Sequence, residues 1–135
     1  MTGYSGTPLA KKLGIGPGHL VVVQDGPDGF ADLLEPLPDG VELVGSTRRD
    51  PDVVIAFMLS RARLAARIER LGQRVFPAAA LWIAWPKKAA KIATDVTEDV
   101  VREVALPLGL VDNKVCAIDA TWSGLRLVWR RDRRV

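Results

Sequence analysis

Two lysines and a tryptophan stand together where a predicted strand ends, a position that suits ligand binding. The apolar run Leu81 to Trp85 is followed by Pro86, Lys87 and Lys88. Open α/β sheets bind ligands outside the carboxyl ends of their strands. Ammonium groups at such an edge neutralise a phosphate or a carboxylate, and an indole ring stacks on a base. The alternatives are a solvated lysine pair and a tryptophan that closes the core.

Two acids belong to the same candidate edge. Asp25 follows the first predicted strand, and Asp95 precedes an acidic helix start that Thr97 opens. Helix capping explains the second cluster fully, whereas a functional interpretation has Asp95 facing Lys87 or Lys88. The candidate ligand-binding residues are therefore Asp25, Trp85, Lys87, Lys88 and Asp95.

A second group of candidates surrounds a predicted hairpin turn, Asp119 to Gly124. Aspartate, serine and glycine have local reasons to stand in a turn. A turn requires neither Trp122 nor Arg126. They are candidate interaction residues, because exposed aromatic and arginine side chains often anchor a partner. The alternative is that they stack on each other and brace the turn.

The scarcity of histidine and cysteine excludes several kinds of chemistry. His19 and Cys116 are the single members of their types, so a transition-metal site is not expected. We expect His19 on the surface and Cys116 as a buried, inert thiol. The glycine run from Gly14 to Gly18 lacks the lysine and hydroxyl residue of a phosphate-binding P-loop.

The charge of this 135-residue chain is concentrated near its end. The net charge is +3, and four arginines at positions 130, 131, 133 and 134 account for it. The rest is close to neutral, so we expect residues 130–135 to form a basic tail. The tail either contacts nucleic acid or another acidic partner, or is a frayed and solvated terminus.

The N-terminal residues and the single cysteine predict a compartment. No apolar segment of a secretory signal precedes residue 15, and one cysteine cannot form an internal disulfide. Both features predict a reducing, cytoplasmic location. The longest apolar runs are too short to cross a bilayer, so no membrane association is expected.

Strand and helix signals alternate along the chain. Continuous apolar runs between turn residues predict strands at Leu20–Val23, Val41–Val44, Val53–Leu59, Leu81–Trp85, Leu110–Ile118 and Leu125–Trp129. Helical spacing and capping residues predict helices at Thr7–Leu13, at Phe30–Glu35, from the cap Ser60 to Val75, and after Thr97. This alternation predicts one Rossmann-like α/β domain over residues 1–135, a three-layer sandwich. Its sheet is mainly parallel, with an N-terminal helix and turn (1–17) and a C-terminal antiparallel hairpin.

The elements from residue 53 to residue 129 resemble a shortened sheet of class I, S-adenosylmethionine-dependent methyltransferases. A strand ending in Phe57-Met58, a helix, the segment PAAALWIAWPK and a terminal hairpin carry this likeness. At a closer level the chain resembles a family of small bacterial proteins of unknown function, most familiar from actinobacteria. That likeness lies in YSGTPLAKKLGI (4–15), LWIAWPKKA (81–89), TDVTEDVVRE (94–103) and KVCAIDATWSGLR (114–126).

The positions that bind the cofactor in methyltransferases differ in this chain. An acid followed by Gly-x-Gly-x-Gly brings the backbone close to the cofactor, whereas residues 24–29 read QDGPDG. The second strand ends in LVGST (43–47), with no acid for ribose hydroxyls before Asp50, and the loop after the third strand lacks an Asn-Pro-Pro-Tyr pattern. We therefore expect no cofactor and no binding of S-adenosylmethionine.

Together these features predict a non-catalytic binding or interaction module. One alternative is a small protein that binds a nucleotide or a ligand like S-adenosylmethionine, or a degenerate methyltransferase. Another is nucleic-acid binding through the arginine tail. A small sheet with an antiparallel edge strand also offers a surface for a homo-oligomer.

Overall fold

The computed structural model of the chain describes residues 7–134. Its helices are α1 (Leu9–Lys12), α2 (Phe30–Leu33), α3 (Arg61–Val75) and α4 (Glu98–Ala105). Its strands are β1 (Leu20–Gln24), β2 (Glu42–Val44), β3 (Val53–Phe57), β4 (Ala80–Pro86), β5 (Leu110–Ala117) and β6 (Trp122–Trp129). Each strand predicted from an apolar run is therefore present. The first six residues of the predicted N-terminal helix and turn lie outside the described residues.

All six strands form one sheet in the order β2-β1-β3-β4-β6-β5. The first four strands in this order are parallel, and β6 pairs antiparallel with both β4 and β5. Strands β3 and β4 are buried along their whole length, as expected where helices cover both faces of a parallel sheet. The predicted Rossmann-like α/β sandwich with a C-terminal antiparallel hairpin is confirmed.

The helices form a layer on each face of the sheet. On one face, Leu64 and Ile68 of α3 and Val101 of α4 belong to the cluster that packs on the central strands. On the other face, Leu13 and Phe30 pack with the second cluster, which includes strand residues of β3 and β4. The indole of Trp82 in β4 donates a hydrogen bond of 2.9 Å to the carbonyl of Leu13, so the segment after α1 is tied to the middle of the sheet.

Helix α3 has the start and the end that its sequence predicts. The Ser60 hydroxyl accepts a hydrogen bond from the Arg63 amide at 3.1 Å, which satisfies one of the open donors of the first turn. The helix ends at Val75, since Phe76 is extended and Pro77 follows. Its buried stripe faces the sheet, and one flank of that stripe is rich in arginine.

The hairpin between β5 and β6 is tighter than predicted. The Asp119 carboxylate accepts hydrogen bonds of 2.8 Å from the amides of Thr121 and Trp122, which closes the turn at residue 121. Residues 122–124 already pair with β4, so the turn does not extend to Gly124. The first helix is also shorter than predicted, with Pro8 at its cap in place of Thr7.

Candidate functional site

The topological switch point of the sheet lies between the carboxyl ends of β1 and β3, because the connections after these two neighbouring strands run in opposite directions. Gln24, the last residue of β1, lies opposite Ala56 of β3. Beyond it the chain leads to β2 on one side, whereas the chain beyond β3 leads to β4 on the other. Ligands of open α/β sheets bind at such a switch point. The residues around it are therefore the structural candidates for a site.

Asp25 occupies this switch point in a constrained conformation. Its φ angle of 56° is left-handed, which is uncommon for a residue other than glycine. Its carboxylate pairs with Arg63 at 2.9 Å and with Arg67 at 3.3 Å, both on α3. The loop after β1 is thus joined by ion pairs to the helix after β3. All three side chains are about half exposed, so these pairs orient the loop more than they stabilise the fold.

A shallow cleft lies beside Asp25, and we call it the edge cleft. Its cavity of about 410 Å³ is bounded by the loop and first turn of α2, residues 26–31, and by residues 43–45 at the end of β2. A side chain at Gly26 would meet Val23 Cγ1 at 2.9 Å, so glycine is needed there for packing. No acid lines the β2 side, because Gly45, Ser46 and Thr47 follow the strand.

The acid nearest the end of β2 serves another purpose. Glu42 binds Arg49 through two hydrogen bonds of 2.9 and 3.1 Å on the protein surface. The hydrogen bond from Arg49, together with its positive charge, holds the pKa of Glu42 below its usual value. This carboxylate closes the loop that joins β2 to β3 and does not face the edge cleft, whose lining residues exclude it.

Asp95 is a structural contact of α3 and does not pair with a lysine. Its carboxylate accepts a hydrogen bond of 2.6 Å from the Arg61 amide, at the first residue of the helix. The neighbouring Thr94 hydroxyl donates to the Leu59 carbonyl at 2.6 Å. The segment before α4 is therefore fixed to the start of α3. This contact supports the structural interpretation of Asp95 over the alternative in which it faces Lys87 or Lys88.

Trp85 and the two lysines lie at the end of β4, as predicted, and among the described residues the ion pairs of Asp25 are with Arg63 and Arg67 and not with these lysines. Trp85 is 7% exposed and belongs to the core, so it offers no face to a ligand base. Lys87 is half-buried and Lys88 exposed, and within the described part of the chain neither ammonium group has an acidic partner. Strand β3 separates β4 from β1, so about 10 Å of sheet lies between the lysines and Asp25.

Trp122 and Arg126 are part of strand β6 and not of a turn. The Trp122 ring packs edge-on against Phe57, with centroids 5.0 Å apart, so this side chain is used in packing. Arg126 lies opposite Trp82 of β4 and Lys114 of β5 in the strand register. Partial burial lowers the pKa of Arg126. The two residues do not stack on each other across a turn, as one alternative required.

The C-terminal arginines fold back on the chain. Residues 131–133 form a 3-10 turn, and the amide of Arg130 donates to the carbonyl of Gly109 at 2.9 Å. The Arg134 side chain donates to the Trp129 carbonyl at 2.8 Å, and Arg130 pairs with Asp132 at 3.3 Å. Several cations of the predicted tail therefore have partners within the chain.

Edge strand β5 shows features that limit strand pairing with a second chain. Its register shifts between Asp112 and Lys114, which marks a bulge or an irregularity, and Lys114 and Val115 are exposed. Bulges and lysines are common on protected edges. Over residues 7–134 no helix is long and apolar enough to cross a membrane, and no group of three metal-binding side chains is found.

We predict that Cys116 reacts slowly with alkylating reagents in the folded protein. The residue is 7% exposed, and burial raises the pKa of its thiol while three nearby lysines oppose the change. Iodoacetamide labelling at about pH 8 should be on the order of tenfold slower than in urea. The labelling midpoint should also lie at higher pH than in the unfolded chain.

The raised pKa of Cys116 also determines how this thiol contributes to stability at different pH values. Because the folded thiol binds its proton more tightly than the unfolded one, the contribution is complete at neutral pH. It is lost as the pH rises through the folded pKa. Equal labelling rates in the folded and unfolded chain would contradict the burial of Cys116.

Two features that the structure places near β1 are not part of the site predicted from the sequence. Four arginines of α3, at positions 63, 67, 70 and 74, share one flank of the helix. The Oε1 atom of Gln24 is buried and has no hydrogen-bond partner among the described residues. The spacing of the arginines was visible in the sequence, but the strand that they face was not.

No protein-family model matches the sequence, and no curated protein matches it. Solved structures do resemble the fold. An S-adenosylmethionine-dependent methyltransferase from Aquifex aeolicus superposes with a TM-score of 0.59 at 15% identity, covering 88% of this chain and 86% of that one. The fold is methyltransferase-like. At this level of identity the likeness concerns the arrangement of strands and helices alone.

Two further structures support this methyltransferase-like fold. The magnesium protoporphyrin IX methyltransferase of Synechocystis, solved with bound S-adenosylmethionine, has a TM-score of 0.56 at 10% identity and covers 90% of this chain and 74% of that one. A putative methyltransferase from Thermoplasma acidophilum has a TM-score of 0.56 at 9% identity, covering 93% and 75%. The resemblance read from the strand order is thereby confirmed at the level of the fold.

Proposed function

We propose that the chain is a non-catalytic binding domain built on a methyltransferase-like sheet. The observation that carries this proposal is the pairing of Asp25 with Arg63 and Arg67 at the switch point. A loop that binds a nucleotide offers open space and backbone amides to its ligand. Here the first side chain beyond β1 is an acid held to α3 by two ion pairs, which disfavours a second anion at that point.

The other polar groups of this edge support binding over catalysis. Catalysis by proton transfer or nucleophilic attack needs a side chain that is positioned to reach the reacting atoms. The Ser60 hydroxyl caps α3, the Thr94 hydroxyl binds the Leu59 carbonyl, and Asp95 binds the Arg61 amide. Each of these candidates is engaged in holding the start of α3.

A second candidate function is the binding of an adenosyl compound without turnover. The edge cleft favours it, because its cavity of about 410 Å³ lies between the loop after β1 and the end of β2. Pockets for small ligands commonly have volumes of about 300–1,000 Å³. Gly26 and Gly29 in that loop also let the backbone approach a ligand.

We predict that the purified chain does not consume S-adenosylmethionine. Incubation with the compound and a panel of nucleophilic acceptors should yield S-adenosylhomocysteine no faster than the protein-free reaction, as measured by liquid chromatography. Formation above that background would contradict the non-catalytic proposal. A control with the heat-denatured chain corrects for adsorption and spontaneous breakdown.

Calorimetric titration with S-adenosylhomocysteine separates the two candidate functions. The variant Ala31→Trp fills the edge cleft, and Ala120→Trp adds the same side chain at the exposed hairpin turn as a matched control. If the wild type binds the compound and only Ala31→Trp abolishes binding, the domain retains an adenosyl site. If the wild type releases no heat at millimolar ligand, the adenosyl candidate is wrong and the binding-domain proposal stands with another ligand.

A further inference from the structure

A second cavity, of about 490 Å³, lies between α3, strands β1 and β3, and the loop after β2, apart from the edge cleft. We call it the arginine groove. Its polar lining includes Arg67, Arg70 and Arg74 of α3, Gln24 of β1 and Thr47 beyond β2. Its apolar lining includes Val22 and Val54 of the sheet and Leu71 of α3. Arg67 both lines the groove and contacts Asp25.

The groove exists because the connection from β2 to β3, residues 45–52, contains no helix. The buried stripe of α3 packs over β3 and β4, where Leu64 and Ile68 meet the core. The arginine flank of α3 therefore overhangs β1 and the end of β2. An apolar strip of the sheet and a row of cations face each other across the space between them.

The three arginines differ in how far their charges are satisfied. Arg74 donates to the carbonyls of Thr47 and Arg49, at 2.9 and 2.7 Å, so its position is fixed without neutralising its charge. Arg67 shares Asp25 with Arg63. Within the described residues, Arg70 has neither an ion pair nor a hydrogen bond from its side chain.

The acids near the groove do not balance this charge. Asp25 already serves two arginines, and Glu42 is paired with Arg49 at 2.9 Å. Glu69 does not line the groove, since it is turned about 100° away from Arg70 around the helix. The groove therefore has a net positive charge and attracts an anion.

Gln24 gives the groove a buried hydrogen-bond acceptor in addition to its positive charge. Its Oε1 atom is buried and accepts no hydrogen bond within the described residues. A buried acceptor without a donor destabilises the fold, and ordered water or a ligand group often supplies the missing donor. A sugar hydroxyl or an exocyclic amine would fill this role beside the apolar lining of Val22 and Val54.

We infer that the arginine groove binds a small phosphate ester whose organic part donates a hydrogen bond, of the size of a nucleoside monophosphate. Guanidinium groups bind phosphate oxygens in a bidentate manner. The apolar lining suits a planar ring, and Gln24 suits a hydroxyl or amine of the same ligand. This inference goes beyond the proposed function, since it assigns a ligand class to a different cavity.

The test is calorimetric titration of the full chain, at low ionic strength, with adenosine monophosphate, ribose 5-phosphate and inorganic phosphate. We expect adenosine monophosphate to bind, and Arg70→Gln to weaken binding on the order of tenfold, the typical effect of one lost charged hydrogen bond. Arg131→Gln removes the same charge from the exposed C-terminal turn and should change the affinity less than about twofold. Arg70→Lys should recover part of the loss.

Two more variants test the shape of the site. Gln24→Leu should weaken the two esters and leave inorganic phosphate unaffected, because only the esters have an organic part that can donate to Gln24 Oε1 while their phosphate contacts the arginines. Ala31→Trp, which fills the edge cleft, should leave all three affinities unchanged, so a failure here is distinguishable from a failure of the proposed function. Circular dichroism confirms that each variant is folded.

Several outcomes would overturn the inference. The first is the absence of binding by all three compounds at millimolar concentration. The second is an equal loss in Arg70→Gln and Arg131→Gln, since this would mean attraction by net charge alone. The third is binding that Gln24→Leu does not alter for any compound, which would reject the ester and leave a simple anion site.

Discussion

Replacing Trp82 with alanine is expected to lower the free energy of unfolding by about 3–5 kcal/mol, the usual cost of removing a large buried aromatic side chain. The Trp82 side chain is fully buried in the middle of β4. Its indole also donates a hydrogen bond of 2.9 Å to the Leu13 carbonyl, 69 residues away in the sequence. The variant therefore loses a large volume of packing and leaves a buried carbonyl unpaired. Urea denaturation followed by circular dichroism measures the change.

Trp129→Ala is the matched control for this experiment. Trp129 also donates from its indole to a carbonyl, that of Gly72 at 2.7 Å, but it is only partly buried and lies near the end of β6. Its removal should cost clearly less than that of Trp82. If the two variants lose similar stability, the packing of the N-terminal segment on β4 is not the main contribution of Trp82.

The fold was predictable because its signals are local. A strand that is buried on both faces gives a continuous apolar run, as Val53–Phe57 does. Ser60 and Thr97 begin their helices where a hydroxyl before the first turn predicts. Neither feature depends on the partner strand, so the order of strands and helices could be read before the sheet was known.

The hairpin shows where local signals fail. Ser123 and Gly124 are typical turn residues, and they predicted a turn that extends to residue 124. In the structure both residues pair with β4, Ser123 opposite Trp85 and Gly124 opposite Ala84. Pairing with a neighbouring strand outweighs turn propensity here. The Asp119 carboxylate closes the turn together with the amides of Ile118 and Asp119, which donate to the Trp122 carbonyl at 2.9 and 3.3 Å.

The sequence predicted where the candidate site residues lie in the fold, but it did not predict which residues they contact. Asp25, Lys87 and Asp95 do lie beyond the ends of strands or before a helix. The partners of the two acids are far away in the sequence, however: Arg61 is 34 residues from Asp95, and Arg67 is 42 residues from Asp25. No spacing rule gives such pairs, because they depend on how α3 is placed over the sheet.

Charge counting also missed the distribution of arginine. The net charge is +3, which is less than the charge of the four C-terminal arginines. This comparison suggested that positive and negative charges balance over the rest of the surface. The charges balance when they are summed over residues 1–129, but they do not balance on each part of the surface. Acids elsewhere cancel the α3 arginines in the total, while Arg70 forms no ion pair among the described residues.

We expect the substitution Gly124→Val to lower stability by about 1–3 kcal/mol through overpacking. A Cβ atom at this position would lie 3.1 Å from Trp82 Cε3 and 3.3 Å from Ile118 Cδ1. Strand propensity alone predicts the opposite sign, since valine is favoured over glycine in a strand. Thermal and urea denaturation therefore decide between local propensity and packing at this position.

Gly45→Val is the control, because a side chain at Gly45 would meet nothing within 4 Å and its φ is not in the left-handed region. Its effect should be within about 0.5 kcal/mol of zero.

The contact between Gly124 and Trp82 also predicts coupling: Trp82→Phe, which shortens the ring, should offset part of the loss of stability from Gly124→Val. Strict additivity of the two variants would mean that the indole is not what limits the side chain at position 124. Coupling would show that the indole of Trp82 in β4 limits the side chain that position 124 of β6 can hold on this face of the sheet.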